Sequence, residues 1–268
     1  MNLFQKMLIL FVVTQLLGLY VANVFIQENI KTIIVNDNPD DIWNAVGLVS
    51  YILIFTGIFL LIMKFSKTGK ILSLMEKIVV FSTTSIFVYL IVPELSFLFA
   101  VLFLALRILL PESILLRNIS AIISSAVVGS MLGVSLNIIP VIVFVAALSI
   151  YDIIAVFFTK HMVAMAETLK EKNLALAFTI PTKEHNYLIG TGDLVIPLVF
   201  VVSAMSSFYA ETANRLMSNV LGLIILIMSL LGIGITLWIT KNKKMAMPAL
   251  PLQCLFMIIA WFVFNFFF

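Results

Sequence analysis

The chain has 268 residues, of which 63% are hydrophobic and only 11% are charged, with a mean hydropathy of +1.20. A soluble domain is about half apolar, so this composition excludes a water-soluble enzyme and calls for a polytopic membrane protein. The net charge of +3 comes from scattered loop lysines. No basic run is interleaved with aromatic residues, so nucleic acid is not expected as a partner.

The first apolar stretch, 7–26, follows a basic start and is long enough to span a bilayer. No small-x-small cleavage site follows it, so it is read as an uncleaved first span rather than a signal peptide. Further apolar segments run near 45–63, 78–93, 95–110, 119–137, 139–159, 187–207, 216–240 and 248–268. The third and fourth are short and separated only by Pro93-Glu94. The fifth and sixth meet at 137–140. Both pairs predict tight helical hairpins. Backbone polar groups must be satisfied inside lipid, which favours helices throughout. The expectation is an all-α membrane protein with nine transmembrane helices, forming a single domain over 1–268.

Lys and Arg concentrate on cytoplasmic loops. With the N-terminus inside, every one of the 16 basic residues except Lys31 and Arg215 falls on an inside segment. This predicts a cytoplasmic N-terminus, an extracellular C-terminus and a multi-pass protein of the cell membrane. The longest connector, 160–186, lies inside. Its charges alternate in sign, and 162–176 fits either a surface helix or a solvated connector. Lys160, His161 and Glu167 read as interface anchors there.

Of the 13 acidic residues, two lie deep inside apolar sequence: Asp152 and Asp193. The others, Glu76 included, are expected in loops or at span edges. A carboxylate within a bilayer is costly and is read as a functional site. No Lys or Arg shares the depth of these two. Asp152 lies eight residues before Lys160, and Asp193 ten after Lys183. At about 1.5 Å per helical residue, both carboxyls sit roughly 12–15 Å from cytoplasmic anchors. Sequential antiparallel helices are usually neighbours, so the two acids can meet. Two carboxyls sharing one proton are the machinery of aspartic proteolysis.

The surroundings of these acids carry further signals. Gly190, Thr191 and Gly192 precede Asp193. Glycines allow close helix approach and remove bulk beside a carboxyl, although they also serve plain packing. Pro197 has no amide for the Asp193 carbonyl, which loosens the helix there. Tyr151 precedes Asp152, and its hydroxyl fits a site role or packing equally well. Pro248-Ala249-Leu250-Pro251 reads as a helix start, since proline suits the first turn; the sharper alternative is an extended segment lining a site. The single Cys254 forms no internal disulfide. The two histidines are far from other ligand groups, so no metal or other cofactor is expected. Paired acids at broken helices also mark ion paths, which leaves a proton- or cation-coupled transporter or channel as the alternative.

Tyr151-Asp152, Gly190-x-Gly192-Asp193 and Pro248-Ala249-Leu250, spread in this order over nine helices, resemble the presenilin and signal-peptide-peptidase family of GxGD intramembrane aspartyl proteases. The compact connector and the stretch 151–167 are most similar to the archaeal presenilin homologues. The resemblance implies an aspartic endopeptidase with Asp152 and Asp193 as its dyad. It implies that Gly190 and Gly192 shape the pocket, and that Pro248, Ala249 and Leu250 place the substrate strand. Thr191 stands where many relatives carry an apolar residue, which implies a part in substrate choice. Ile196-Pro197 is closer to the peptidase side of the family, whereas the inferred orientation matches the presenilin side and implies type I transmembrane substrates. The compact connector lacks the segment that presenilins cut in themselves. Transmembrane protein substrates and membrane lipid are the expected partners, without an obligatory partner subunit.

Overall fold

The computed structural model describes residues 3–65, 70–159, 177–181, 186–243 and 247–267. Within them nine α-helices follow one another: α1 (Leu3–Gln27), α2 (Ile42–Phe65), α3 (Lys70–Tyr89), α4 (Ser96–Leu109), α5 (Ile114–Ser135), α6 (Ile138–Ile154), α7 (Gly192–Thr212), α8 (Arg215–Lys243) and α9 (Leu250–Phe267). Two strands, β1 (Ala177–Pro181) and β2 (Asn186–Gly190), lie between α6 and α7. Eight of these helices are long and apolar enough to cross a membrane. The exception, α4, has 14 residues, roughly 21 Å of helix against a hydrocarbon core of about 30 Å. The described residues thus form the expected nine-helix membrane architecture, with one hairpin added.

Several boundaries differ from the sequence expectation, and three of them bear on the argument. The third helix begins at Lys70 rather than near 78, because 70–77 is rich in helix formers despite its charges. Glu76 is therefore an intrahelical residue, and it is buried. The seventh helix begins at Gly192 rather than near 187. Tyr187, Leu188 and Ile189 instead belong to β2. A short apolar run cannot be told from helix by period alone, and glycine is what punctuates it here. The sixth helix leaves regular α-geometry at Ile154 and continues as a π-helix over Ala155–Thr159. Residues 160–176 and 182–185 lie outside the described residues. With them lie Lys160, His161, Glu167, Lys183 and the surface helix expected over 162–176.

By their internal contacts the described residues form two compact units. The first draws on 1–24, 54–129 and 163–195. Here α3 and α4 form a hairpin closed by a 3-10 turn at Pro93–Leu95. Phe81 and Phe97 meet edge to face across it, with ring centroids 5.9 Å apart. Arg107 of α4 pairs with Glu76 of α3 at 2.9 Å, both side chains only 5% exposed, and Arg107 also donates to the Pro111 carbonyl at 2.9 Å. Phe11, Leu72, Val80, Ala121, Phe178 and Ile180 are buried in this unit. β1 and β2 run antiparallel, with Thr179 opposite Leu188 and Ala177 opposite Gly190.

The second unit draws on 25–53, 130–162 and 196–268. In it α9 packs against α8 and α6. Glycines set two close approaches. A Cβ on Gly133 would stand 2.7 Å from Val202 Cβ, and one on Gly232 would stand 2.7 Å from Gln253 Cα, so small residues are what let these helices touch. Hydroxyls one turn apart on α7 satisfy the break between α5 and α6: Ser203 donates to the Leu136 carbonyl at 2.7 Å, and Ser207 accepts the Ile138 amide at 3.1 Å. In its spanning window α7 is 67% buried, against 17% for α2. An all-round apolar helix is enclosed in the first case and faces lipid in the second.

Candidate active site

Asp152 belongs to the second unit. It shares a buried face of α6 with Val145 and Leu148 and is 5% exposed. Its Oδ2 accepts the Leu250 N–H at 3.2 Å. Leu250 opens α9, with buried Pro248 and half-buried Ala249 just before it and Pro251 in the first helical turn. A helix start leaves amides without intrahelical acceptors and carries partial positive charge, so it favours a carboxylate. Pro248-Ala249-Leu250-Pro251 thus leads into a helix start, as the first reading expects, and the Leu250 amide of that start meets Asp152. One turn further on, the Cys254 thiol donates to the Val145 carbonyl at 3.8 Å. Half-buried Tyr151 adjoins Asp152 on α6. Just beyond, the Ala155 N–H is shared between the Tyr151 and Asp152 carbonyls, and the helix widens into its π segment. Such π turns occur frequently at functional sites.

Asp193 belongs to the first unit and is partly exposed. The sequence expectation placed Gly190-Thr191-Gly192 in a helical turn before it. The structure corrects this. Gly190 ends β2, Thr191 is the turn, and Gly192 and Asp193 open α7. The Thr191 carbonyl accepts the N–H groups of Leu194 at 3.1 Å and Val195 at 3.0 Å. Asp193 therefore sits in a first helical turn, where a negative charge is favoured. A Cβ on Gly190 would stand 3.9 Å from Asp193 Oδ2, and one on Gly192 would meet nothing within 4 Å. These glycines leave open space beside the carboxyl rather than a tight helix contact. Pro197 lies inside α7 and removes the donor to the Asp193 carbonyl.

A cavity of about 140 Å³ borders the motif within this unit. It is lined by Glu76, Val79 and Val80 of α3, Ser124, Ser125 and Val128 of α5, and Thr191 and Val195. Among the described residues the Ser125 hydroxyl there is buried without a hydrogen-bond partner.

The site residues thus gather in two groups. Tyr151 and Asp152 adjoin Pro248, Ala249 and Leu250, and Asp193 adjoins Gly190, Thr191 and Gly192. The sequence reading missed three polar residues around the second group: Gln15, Glu76 and Asn118. Gln15 and Glu76 carried a signal, since a polar side chain inside an apolar span asks for a partner.

The family model described as signal-peptide peptidase, presenilin aspartyl protease matches residues 8–187, well over half of the chain. The chain belongs to this family. The matched stretch includes Asp152 and ends before Asp193. Comparison with curated proteins finds no match. Two solved structures of a presenilin family intramembrane aspartate protease, in different crystal forms, share the fold. One is 23% identical with a TM-score of 0.69, covering 97% of this chain and 96% of its own. The other is 20% identical with a TM-score of 0.74, covering 100% of both. This presenilin-family chain is accordingly an aspartic endopeptidase of the membrane, and the ion-coupled transporter is set aside. Multi-pass insertion and membrane-protein substrates follow from the family and the apolar helices.

Proposed function

We propose that residues 1–268 act as one protease domain of the cell membrane, with the N-terminus cytoplasmic and the C-terminus outside. It hydrolyses peptide bonds within the transmembrane helices of type I membrane proteins, with Asp152 and Asp193 as a single dyad. The observation that carries this reading is the placement of the two acids. Within a chain of an aspartyl protease family, each in-span carboxylate that the sequence singles out meets a helix start: Asp152, near the end of α6, accepts the Leu250 amide, and Asp193 follows Gly192 in the first turn of α7. The lopsided distribution of Lys and Arg supports the orientation, and the orientation supports type I substrates.

In this mechanism the ionised carboxylate takes a proton from a water whose oxygen attacks the scissile carbonyl carbon. The protonated carboxyl donates its hydrogen to the carbonyl oxygen, giving a tetrahedral diol. Collapse of the diol re-forms the C=O, breaks the C–N bond and delivers a proton to the departing amine. The dyad keeps one shared proton through the cycle, and its two apparent pKa values belong to the pair. Because the substrate helix must unwind to present a peptide bond, helix-weakening residues near its cytoplasmic end speed cleavage.

The test is cleavage of type I and type II transmembrane substrates by the reconstituted full chain, beside Asp152→Asn and Asp193→Asn. The proposal expects wild-type cleavage of the type I substrate and none by either variant. Cleavage surviving in a folded Asp variant overturns the dyad, and preference for the type II substrate overturns the orientation.

A further inference from the structure

The corner that carries Asp193 is locally weak. Hairpin, turn and helix change direction between Ile189 and Gly192, and Pro197 leaves the Asp193 carbonyl without its ladder donor. Two amide side chains from distant helices reach this corner. Gln15 of α1, 2% exposed, donates from Nε2 to the Leu194 carbonyl at 2.9 Å. Asn118 of α5 pairs with the backbone of Thr179 on β1: its Nδ2 donates to the Thr179 carbonyl at 2.8 Å, and its Oδ1 accepts the Thr179 N–H at 2.9 Å. All four residues belong to the first unit.

The two clamps do different work. A carbonyl has two lone pairs, so the Leu194 carbonyl can accept Gln15 while remaining in its helical ladder. This contact holds Leu194, the residue immediately after the carbonyl that lacks its ladder donor. Asn118 takes up both outward-facing backbone groups of Thr179. In an antiparallel pair the groups of alternate residues point away from the partner strand, so Thr179 and Leu188 form a non-hydrogen-bonded pair, and the free edge of β1 is occupied at Thr179. The hairpin register, which carries Gly190 opposite Ala177, is thereby fixed to α5.

Gln15 is costly for a purely structural residue. Among the described residues its Oε1 is buried without a partner, and a half-satisfied buried amide is less stable than a well-packed apolar side chain of the same size. A residue that trades stability for geometry belongs to the function.

We infer that Gln15 and Asn118 are positioning residues that hold the strand–turn–helix corner and so aim Asp193 for catalysis. The inference rests on the proposed catalytic role of Asp193. Displacing the corner acts on the position of Asp193, and the loss of a transition-state interaction is read in kcat.

The experiment compares wild type, Gln15→Met, Asn118→Leu and Asp193→Asn, each as reconstituted full chain. It reads kcat and KM on one transmembrane substrate, affinity for a hydroxyl-containing transition-state mimic of aspartic proteases, and Tm. Gln15→Met and Asn118→Leu are each expected to lower kcat about 10-fold or more with KM within about 2-fold, the pattern of a lost transition-state interaction. Affinity for the mimic should fall in parallel, because it reads the dyad. The Tm of Gln15→Met should equal or exceed that of wild type. If Gln15→Met fails to fold, Gln15→Asn replaces it, keeping the amide but retracting it by one methylene, with the same expected loss. A kcat within about 2-fold of wild type in folded Gln15 and Asn118 variants overturns the inference. So does a loss that appears in KM alone or tracks Tm. An active Asp193→Asn instead overturns the reading beneath it, so the two failures are distinguishable.

Discussion

Asp152 is buried with its Oδ2 3.2 Å from the Leu250 amide. Leu250 is the first residue of α9, a position where proline keeps helical geometry but has no N–H. Leu250→Pro is therefore expected to lower kcat about 10-fold to 100-fold, since hydrogen bonds to charged groups contribute about 1.5–3 kcal/mol, and to lower Tm as well, because the Leu250 side chain is buried. Unchanged cleavage would show that this amide has no part in the chemistry. A second residue-scale effect lies in the Glu76–Arg107 pair, both side chains 5% exposed. Breaking a buried pair from one side is destabilising by about 3–5 kcal/mol. Arg107→Leu should therefore lower Tm strongly, and a Tm equal to that of wild type would contradict the pairing. Asp152 and Asp193 were legible in the sequence because a carboxylate in an apolar run has few innocent readings. Gln15 stands out as a polar residue in an apolar span, but its partner was not legible, because that carbonyl lies 179 positions away and no periodicity connects the two. Glu76 was misplaced because its helix starts eight residues earlier than the hydropathy edge suggests.

At the scale of elements, α9 carries Leu250 to Asp152, and α8 sets where α9 begins. Gly232 of α8 admits the backbone of Gln253, with an added Cβ 2.7 Å from its Cα and 2.9 Å from its N. Gly232→Val must push the first turn of α9 away, carrying Leu250 with it. Over-packing of this kind costs about 1–3 kcal/mol, so Tm should fall and cleavage should fall with it. A Gly232→Val protein of wild-type activity would contradict this link. Helix order and helix number were legible because the apolar segments and the charge pattern repeat the same count. The hairpin was not. Tyr187-Leu188-Ile189 extends the apolar run of α7, and only the pairing of 177–181 with 186–190 reveals it as strand, a contact that neither segment specifies alone. This matters for the motif, since Gly190 ends a strand and Gly192 opens a helix, where a continuous helix had been expected.

On the scale of the whole molecule, the chain is a presenilin-family protease in which Asp152 lies against the start of α9 and Asp193 lies in the first turn of α7. The family assignment rests on 8–187 and the fold on whole-chain likeness to two solved structures, while the joint action of Asp152 and Asp193 is what we propose. The most direct test is mass spectrometry of the products formed from a reconstituted type I transmembrane substrate in water enriched in heavy oxygen. Wild type should yield two complementary fragments cut inside the transmembrane segment, with one heavy oxygen in the new carboxyl terminus, and Asp152→Asn and Asp193→Asn should yield neither fragment. Intact substrate with folded wild type, or the same fragments from either variant, would contradict the account.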